Sequence, residues 1–242
     1  MKLIFLFILI VLITNTGCEK PGCLGKAGSR SSQTIPLSAF KQVRLTGNID
    51  LVLKQGTTNS LTLEGPGNIL PDISHTITDG KLLLENMATC RWARDPDEKI
   101  TATLTFTDID KLEYEGSGNV SNTDTLRLNA LLVESFEGAG DVELTVANQY
   151  TGVFLHIENP GVKMHGSSVQ CNTYTSARGL TDMRDFMVQN MVIEYGGLAD
   201  TYINVTSTLS AIIYYKGNVY YKGNPSITRS ERYSTGQLIA RP

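Results

Sequence analysis

Several common features are absent from this 242-residue chain, and each absence narrows what it does. No segment carries an amphipathic stripe at helical spacing with caps at its ends, so helical classes drop out. Charge of one sign is not in excess: 21 Lys and Arg face 24 Asp and Glu, for a formal net charge of -3. Without a basic stripe, nucleic acid is not expected as a partner. The four cysteines form no Cys-x-x-Cys pair, which excludes a zinc ribbon. Of the three histidines, His156 and His165 flank Asn159-Pro160-Gly161 and could approach across a corner, but no third ligand accompanies them. No serine sits in a Gly-x-Ser-x-Gly elbow with acid and histidine support. The glycine-rich phrases lead into strands rather than helix N-termini, which excludes Walker and dinucleotide loops.

Long apolar runs are also missing. The run Leu3–Ile13 holds eleven residues, too few for a bilayer span of about 20. It follows Met1-Lys2 and precedes Thr14-Asn15-Thr16-Gly17-Cys18, the pattern of an export signal. Cys18 after Gly17 resembles the lipobox of bacterial lipoproteins, with Asn15 departing from the usual leucine. That resemblance implies a signal peptide over 1–17, lipid on Cys18, and an outer-membrane lipoprotein facing either the periplasm or the exterior. Residues 18–34 are rich in Gly, Ser, Lys and Arg and read as a flexible tether. The body, 35–240, is long enough for a real core. Cys23, Cys90 and Cys171 leave room for one disulfide, whose pairing the spacing does not choose.

What the chain does have is a recurring phrase. Gly118-Asn119-Val120, Gly140-Asp141-Val142 and Gly217-Asn218-Val219 are its clearest copies, with Gly47-Asn48-Ile49 and Gly67-Asn68-Ile69 earlier. Weaker copies are Gly161-Val162, Thr181-Asp182-Met183 and Ala199-Asp200-Thr201. Intervals of 18 to 22 residues separate neighbouring copies, the signature of stacked repeats. Between them lie short period-two runs such as Val142–Val146 and Tyr202–Val205, which read as strands. Hairpins would favour Asn-Gly, whereas this order is Gly-Asn at a fixed period. The expected fold is all-β, a parallel β-solenoid with rungs of 18–22 residues. Gly with Asn or Asp is expected at its corners because these residues tolerate positive φ. Residues 87–99, with Trp92 and Pro96, break the rhythm and read as an inserted loop or sub-boundary; Pro225 reads as the end of the repeat.

Thr46-Gly-Asn-Ile49, Glu115-Gly-Ser-Gly-Asn-Val120, Glu137-Gly-Ala-Gly-Asp-Val142 and Tyr221-Lys-Gly-Asn-Pro-Ser-Ile227 resemble the auto-transporter adhesin head GIN domain family of Bacteroidetes. The resemblance covers about 35–240. It implies a right-handed β-helix shaped like pectin lyases, no established catalytic residues, and a role in adhesion. Pro160-Gly161-Val162 and Gly196-Gly-Leu-Ala-Asp200 depart from the pattern.

Candidate chemistry is sparse. Aligned on the glycines, the residues before the turns are Glu115, Glu137 and Glu158, then Arg178 and Lys216. In-register stacking would place the three carboxylates about 4.8 Å apart. That column is a weak candidate for calcium, which takes six to eight oxygens; side chains splayed into solvent are the favoured reading. The column Asn119, Asp141, Asp182, Asp200, Asn218 is expected to bond to local backbone. Arg178 beside Asp182, with Arg184-Asp185 following, is the basic–acidic pairing that suits a lyase. Among the aromatics, one of Tyr214/Tyr215 and one of Tyr220/Tyr221 should face outward and offer contacts to a glycan or surface protein. The reading is a non-catalytic binding or adhesion module without cofactor, anchored to the membrane by lipid. The alternative is a polysaccharide-acting enzyme.

Overall fold

The computed structural model describes residues 28–88, 99–156, 160–176 and 178–241. Cys18, Cys23, Cys90 and Glu158, with most of the 87–99 insertion, lie outside them. Seventeen strands run in chain order: β1 (Arg30–Pro36), β2 (Gln42–Gly47), β3 (Asp50–Gln55), β4 (Ser60–Pro66), β5 (Ile73–Thr78), β6 (Lys81–Asn86), β7 (Thr101–Phe106), β8 (Lys111–Gly116) and β9 (Val120–Asn122). They continue with β10 (Ala130–Ser135), β11 (Val142–Leu155), β12 (Val162–Thr175), β13 (Thr181–Tyr195), β14 (Thr201–Ile213), β15 (Val219–Lys222), β16 (Ser226–Arg232) and β17 (Leu238–Ala240). One 3-10 turn, Leu70–Asp72, follows β4. None of the described residues forms an α-helix, and no helix among them is long and apolar enough to cross a membrane.

The strands form one continuous sheet wound into a β-solenoid of about six turns, as the repeat predicts. Its first face stacks β6, β2, β8, β10 and then the second halves of β11 to β14, ending on β16. Its second face stacks β7, β3, β9, the first halves of β11 to β14, β15 and β17. Each of β11 to β14 is 13–15 residues long because it bends from the second face onto the first. Each rung therefore returns through a corner between the end of a first-face strand and the start of a second-face strand.

Period two decides which side chains fill the interior. Leu82, Val43, Leu112, Val133 and Val153 stack in register on the first face, and all are fully buried. Leu51, Val120, Val142 and Val162 do the same opposite them, and both columns belong to one core. Burying each such side chain is worth about 1.5–3 kcal/mol. The alternation is strict because a one-residue slip would expose a whole column. Cys171 lies wholly within this core as a free thiol, its pKa pushed up to about 12 by burial.

The order of rungs departs from chain order at the N-terminal end. The β2–β3 rung lies between the β6–β7 rung and the β8–β9 rung. Antiparallel partners close this end: β5 on β6, β4 on β7 and β1 on β4. Such strands cover an edge that would otherwise template further pairing. Gly67-Asn68-Ile69 belongs to this cap, at the turn after β4, and is not a rung corner. At the other end the repeat does not stop at Pro225. β16 and β17 add another rung, whose corner carries Gly236 stacked on Gly217.

Candidate functional site

The corners come first, because the repeated phrase lies there. Successive strand-initiating amides donate to the carbonyls of Asn119, Asp141, Gly161, Leu180, Asn218 and Gln237 at 2.7–2.9 Å, which fixes these residues as one column. With Asp200, the column advances by 22, 20, 19, 20, 18 and 19 residues. A second ladder runs through side chains. Asp50 Oδ1 accepts the Asn119 N–H at 2.8 Å, and Asn119 Oδ1 accepts the Asp141 N–H at 3.1 Å. Asp200 Oδ1 accepts the Asn218 N–H at 3.0 Å, and Asn218 Oδ1 accepts the Gln237 N–H at 3.0 Å. The Asn or Asp thus satisfies backbone one rung along, rather than its own turn.

This geometry corrects three expectations. The register pairs Gly47 with Gly116, so Asp50, not Asn48, is the counterpart of Asn119. Asp182 is not a corner residue; Leu180 takes that place, and Asp182 lies within β13. Glycine at Gly118, Gly140 and Gly217 is not demanded by positive φ, which among the corner glycines occurs only at Gly47 (76°). It is demanded by contact: an added Cβ on Gly118, Gly140 or Gly217 would fall within 3.0 Å of the backbone carbonyl one rung away.

Two buried tyrosines plug the same corners. Tyr114 donates to the Gly118 carbonyl at 2.6 Å and accepts the Gly140 N–H at 2.8 Å. Tyr195 donates to the Ala199 carbonyl. Burial pushes both phenols up to about 12.

Of the expected glutamate column, Glu158 lies outside the described residues, and the other two are occupied differently. The strand register pairs Tyr114 with Ser135, and the Ala139 N–H bond to the Gly116 carbonyl then sets Gly138 on Gly116, so one extra residue lies between Ser135 and Gly138. Glu115 instead binds Arg44 at 2.7 Å, and Glu137 stands exposed in the turn. The described residues hold no group of three or more His, Cys, Asp or Glu arranged for a metal. The histidines do not meet either. His156 is on the first face, 3.2 Å from Glu134, and His165 on the second, 3.0 Å from Glu143. Asp182 is held by Arg184, not by Arg178, and Arg184 keeps its carboxyl below the usual range.

The outer faces carry the remaining functional side chains. On the N-terminal half of the first face an ion network links Lys81, Glu113, Lys111, Glu134 and His156. Partial burial raises the Glu113 and Glu134 carboxyls, but the ammonium groups against them outweigh it and hold both below the usual carboxylate range.

Aromatics follow along the same face. Phe136 stacks on His156 at 4.3 Å, His156 meets Tyr174 at 5.5 Å, and Tyr214 stacks on Tyr233 at 5.6 Å. An open groove of about 480 Å³ lies among Tyr174, Ser176, Glu194, Tyr214 and Tyr215. Tyr214 and Tyr215 are both exposed, at 42% and 43%, against the expectation that one would turn inward. The reason is that β14 ends at Ile213, so Tyr215 lies in the corner beyond strand alternation. In the second pair the alternation holds: Tyr221 packs against the core, and Tyr220 lies on the outer face.

On the second face Tyr220 belongs to a four-member stack. Arg184 lies 4.5 Å over Tyr202, Tyr202 stacks on Tyr220 at 5.3 Å, and Arg241 lies 4.3 Å over Tyr220. The β13–β14 register shifts between Asp182 and Met187, and this irregularity leaves Arg184 and Asp185 both exposed. The stack borders a hollow of about 150 Å³ that Lys222 also lines. Sequence reasoning missed Arg184, Tyr202 and Arg241 as a group. The available signal was the interval of 18 residues from Tyr202 to Tyr220, which is one rung.

Solved structures share this architecture. A "putative adhesin" from Bacteroides fragilis is 19% identical with a TM-score of 0.78, covering 88% of this chain and 97% of its own. A "putative lipid binding protein" from Parabacteroides distasonis is 14% identical with a TM-score of 0.64, covering 89% and 98%. A "putative adhesin" from Parabacteroides merdae is 18% identical with a TM-score of 0.53, covering 89% and 97%. At these identities the likeness is one of fold. No curated protein is similar to this chain. The family described as "Putative auto-transporter adhesin, head GIN domain" matches residues 39–225. With that span and these corners, the chain belongs to the head GIN domain family.

Proposed function

We propose that this protein is a lipid-anchored module of the cell envelope that binds a surface partner and performs no chemistry on it, with its C-terminal rungs as the contact surface. The observation that carries this reading is the gathering of Tyr214, Tyr215, Tyr220 and Tyr233 around the outside of the last rungs, where Tyr233 is 67% exposed. Tyrosine presents a large amphipathic area at low entropy cost and dominates interfaces. A groove flanked by Tyr214, Tyr215 and Glu194 offers stacking surface and a hydrogen-bond acceptor side by side. The family description supports adhesion and envelope association. The lyase alternative loses the Arg178–Asp182 pair, since Asp182 faces Arg184.

Two experiments test this reading. Cys18→Ser should move the protein from the membrane fraction to the soluble fraction; retention in the membrane would remove the lipid anchor from the proposal. Tyr214→Ala and Tyr215→Ala should weaken adhesion of cells displaying the protein while its melting temperature stays within a few degrees. If both variants lose stability and neither loses adhesion, the tyrosines serve packing and not contact.

A further inference from the structure

Both aromatic faces of the last rungs carry charges of both signs, but among the described residues only on the second do unpaired cations share one hollow, and that points to a ligand class. On the first face the tyrosines bond carboxylates, Tyr214 donating to Glu194 at 3.2 Å and Tyr233 to Glu231 at 3.1 Å, while Arg229 pairs with that same Glu231 and Lys216 lies 5.7 Å over Tyr215. On the second face they sit among cations. Arg184 and Arg241 cap the two ends of the Tyr202–Tyr220 stack, and Lys222 borders the same hollow. Arg184 spends its charge on Asp182. Lys222 and Arg241 have no carboxylate partner among the described residues. A chain of net charge -3 thus presents two uncompensated cations beside one small, aromatic-walled hollow.

We infer that this hollow is a subsite for the carboxylate or sulfate of an acidic polysaccharide, with Arg241 and Lys222 holding the anion and the Tyr202–Tyr220 stack fixing the guanidinium plane. The inference rests on the binding reading above and narrows its ligand. Three observations favour this occupant. First, a guanidinium stacked on a ring is held in orientation, so its N–H edge meets an oxyanion without losing much rotamer freedom. Second, the cationic area is local. Asp182 and Asp185 lie on β13 at its border, and Glu143 lies further along the same face, so a broad anionic bilayer surface would meet repulsion where a single acid group would not. Third, rungs repeat every 4.8 Å or so along the axis. That step is close to the advance of one sugar in an extended chain, so neighbouring sugars can lie on neighbouring rungs.

The test uses the full-length Cys18→Ser chain, which on the reading above carries no lipid, in detergent-free buffer with three probes: oligogalacturonate, dextran oligomers of equal length, and vesicles with or without phosphatidylglycerol. Titration calorimetry should show oligogalacturonate binding that weakens as salt rises, and no comparable dextran binding. Arg241→Gln should lower the oligogalacturonate affinity about tenfold or more, consistent with losing a charge-assisted bond. Lys222→Glu, on an exposed side chain that cannot unfold the core, should lower it at least as much. Arg241→Lys should recover part of the loss. Equal affinity for dextran and oligogalacturonate, or Arg241→Gln and Lys222→Glu at wild-type affinity, would overturn the subsite. Binding to anionic vesicles alone would overturn the polysaccharide as occupant in favour of a lipid headgroup. Failure of the parent reading looks different: displaying cells would then not adhere at all, whichever variant they carry.

Discussion

Replacing Gly118 by alanine tests whether close approach, and not backbone conformation, makes the corners glycine. Gly118 has no positive φ, so alanine suits its backbone. Its Cβ would nevertheless lie within 3.0 Å of the Ile49 carbonyl and 2.8 Å from the Asp50 nitrogen. Neither atom can retreat freely, since both belong to the rung that stacks against β9. Relief requires opening the spacing between the two rungs. Overpacking of this kind costs about 1–3 kcal/mol. Widening the spacing also strains the Ser117 N–H bond to Gly47 (2.9 Å) and the Asn119 N–H bond to Asp50 (2.8 Å), each worth about 0.5–1.5 kcal/mol. The total is about 2–6 kcal/mol. For a domain of this size, each kcal/mol lowers Tm by about 2–4 °C. Thermal unfolding followed by circular dichroism should therefore show a drop of about 4–24 °C. Gly80→Ala is the matched control, because Gly80 has φ +75° but nothing within 4 Å of its Cβ. It should lose only the left-handed penalty of about 1–2 kcal/mol. A Gly118 variant within a degree of wild type, or a Gly80 variant that loses more, would refute the close-approach argument.

Three further outcomes follow from the same geometry. Tyr114→Phe leaves the Gly140 N–H and the Gly118 carbonyl without their hydroxyl, and denaturant titration should show a loss of about 1–3 kcal/mol with an unchanged m-value. The Tyr114 and Tyr195 phenols are raised to about 12 in the folded state, above their ordinary 10, so their protonated forms stabilise the fold below pH 10. That contribution should fall as pH rises from about 10 to 12, and stability measured across this window should flatten in the double Phe variant. Glu113 and Glu134 have depressed values, so their contribution is present above the ordinary carboxylate range and is lost as pH falls through the lowered values. Glu113→Gln should make acid unfolding less steep, and an unchanged slope would show that the network adds nothing.

The fold was legible because its signals were repeated. An error in one copy of the phrase could be outvoted by the others, and the interval of 22 residues between Asn119 and Asp141 placed those two side chains one rung apart, as found. The copies that misled were those read alone. Gly67-Asn68-Ile69 matches the phrase letter for letter yet serves the N-terminal cap, because local residue types specify a tight turn and not what stacks on it. Gly47-Asn48-Ile49 is a true corner read two residues out of register. What fixes its register is contact: the backbone of Ile49 and Asp50 lies against Gly118, and that pairing is remote in sequence.

The candidate site was less legible for a related reason. The glutamates were aligned by their distance from glycine, but the register of β8 on β10 is set by inward columns such as Leu112 on Val133. Strand register and corner spacing then differ, 21 residues from Leu112 to Val133 against 22 from Gly116 to Gly138, so neither alone says what a side chain between them meets. Aligning on the buried columns instead brings the side chains of the outer face together correctly. Counted from the pairing of Asp182 with Tyr202 and of Tyr202 with Tyr220, the second face reads as a ladder before any side chain is placed. In a solenoid the core, not the turn, is the ruler for the surface. Function on such a fold therefore belongs to columns of residues one rung apart. Tyr202 and Tyr220 form one step of such a column, and Arg184 and Arg241, each two residues beyond the register partners Asp182 and Ile239, reach back over its two ends.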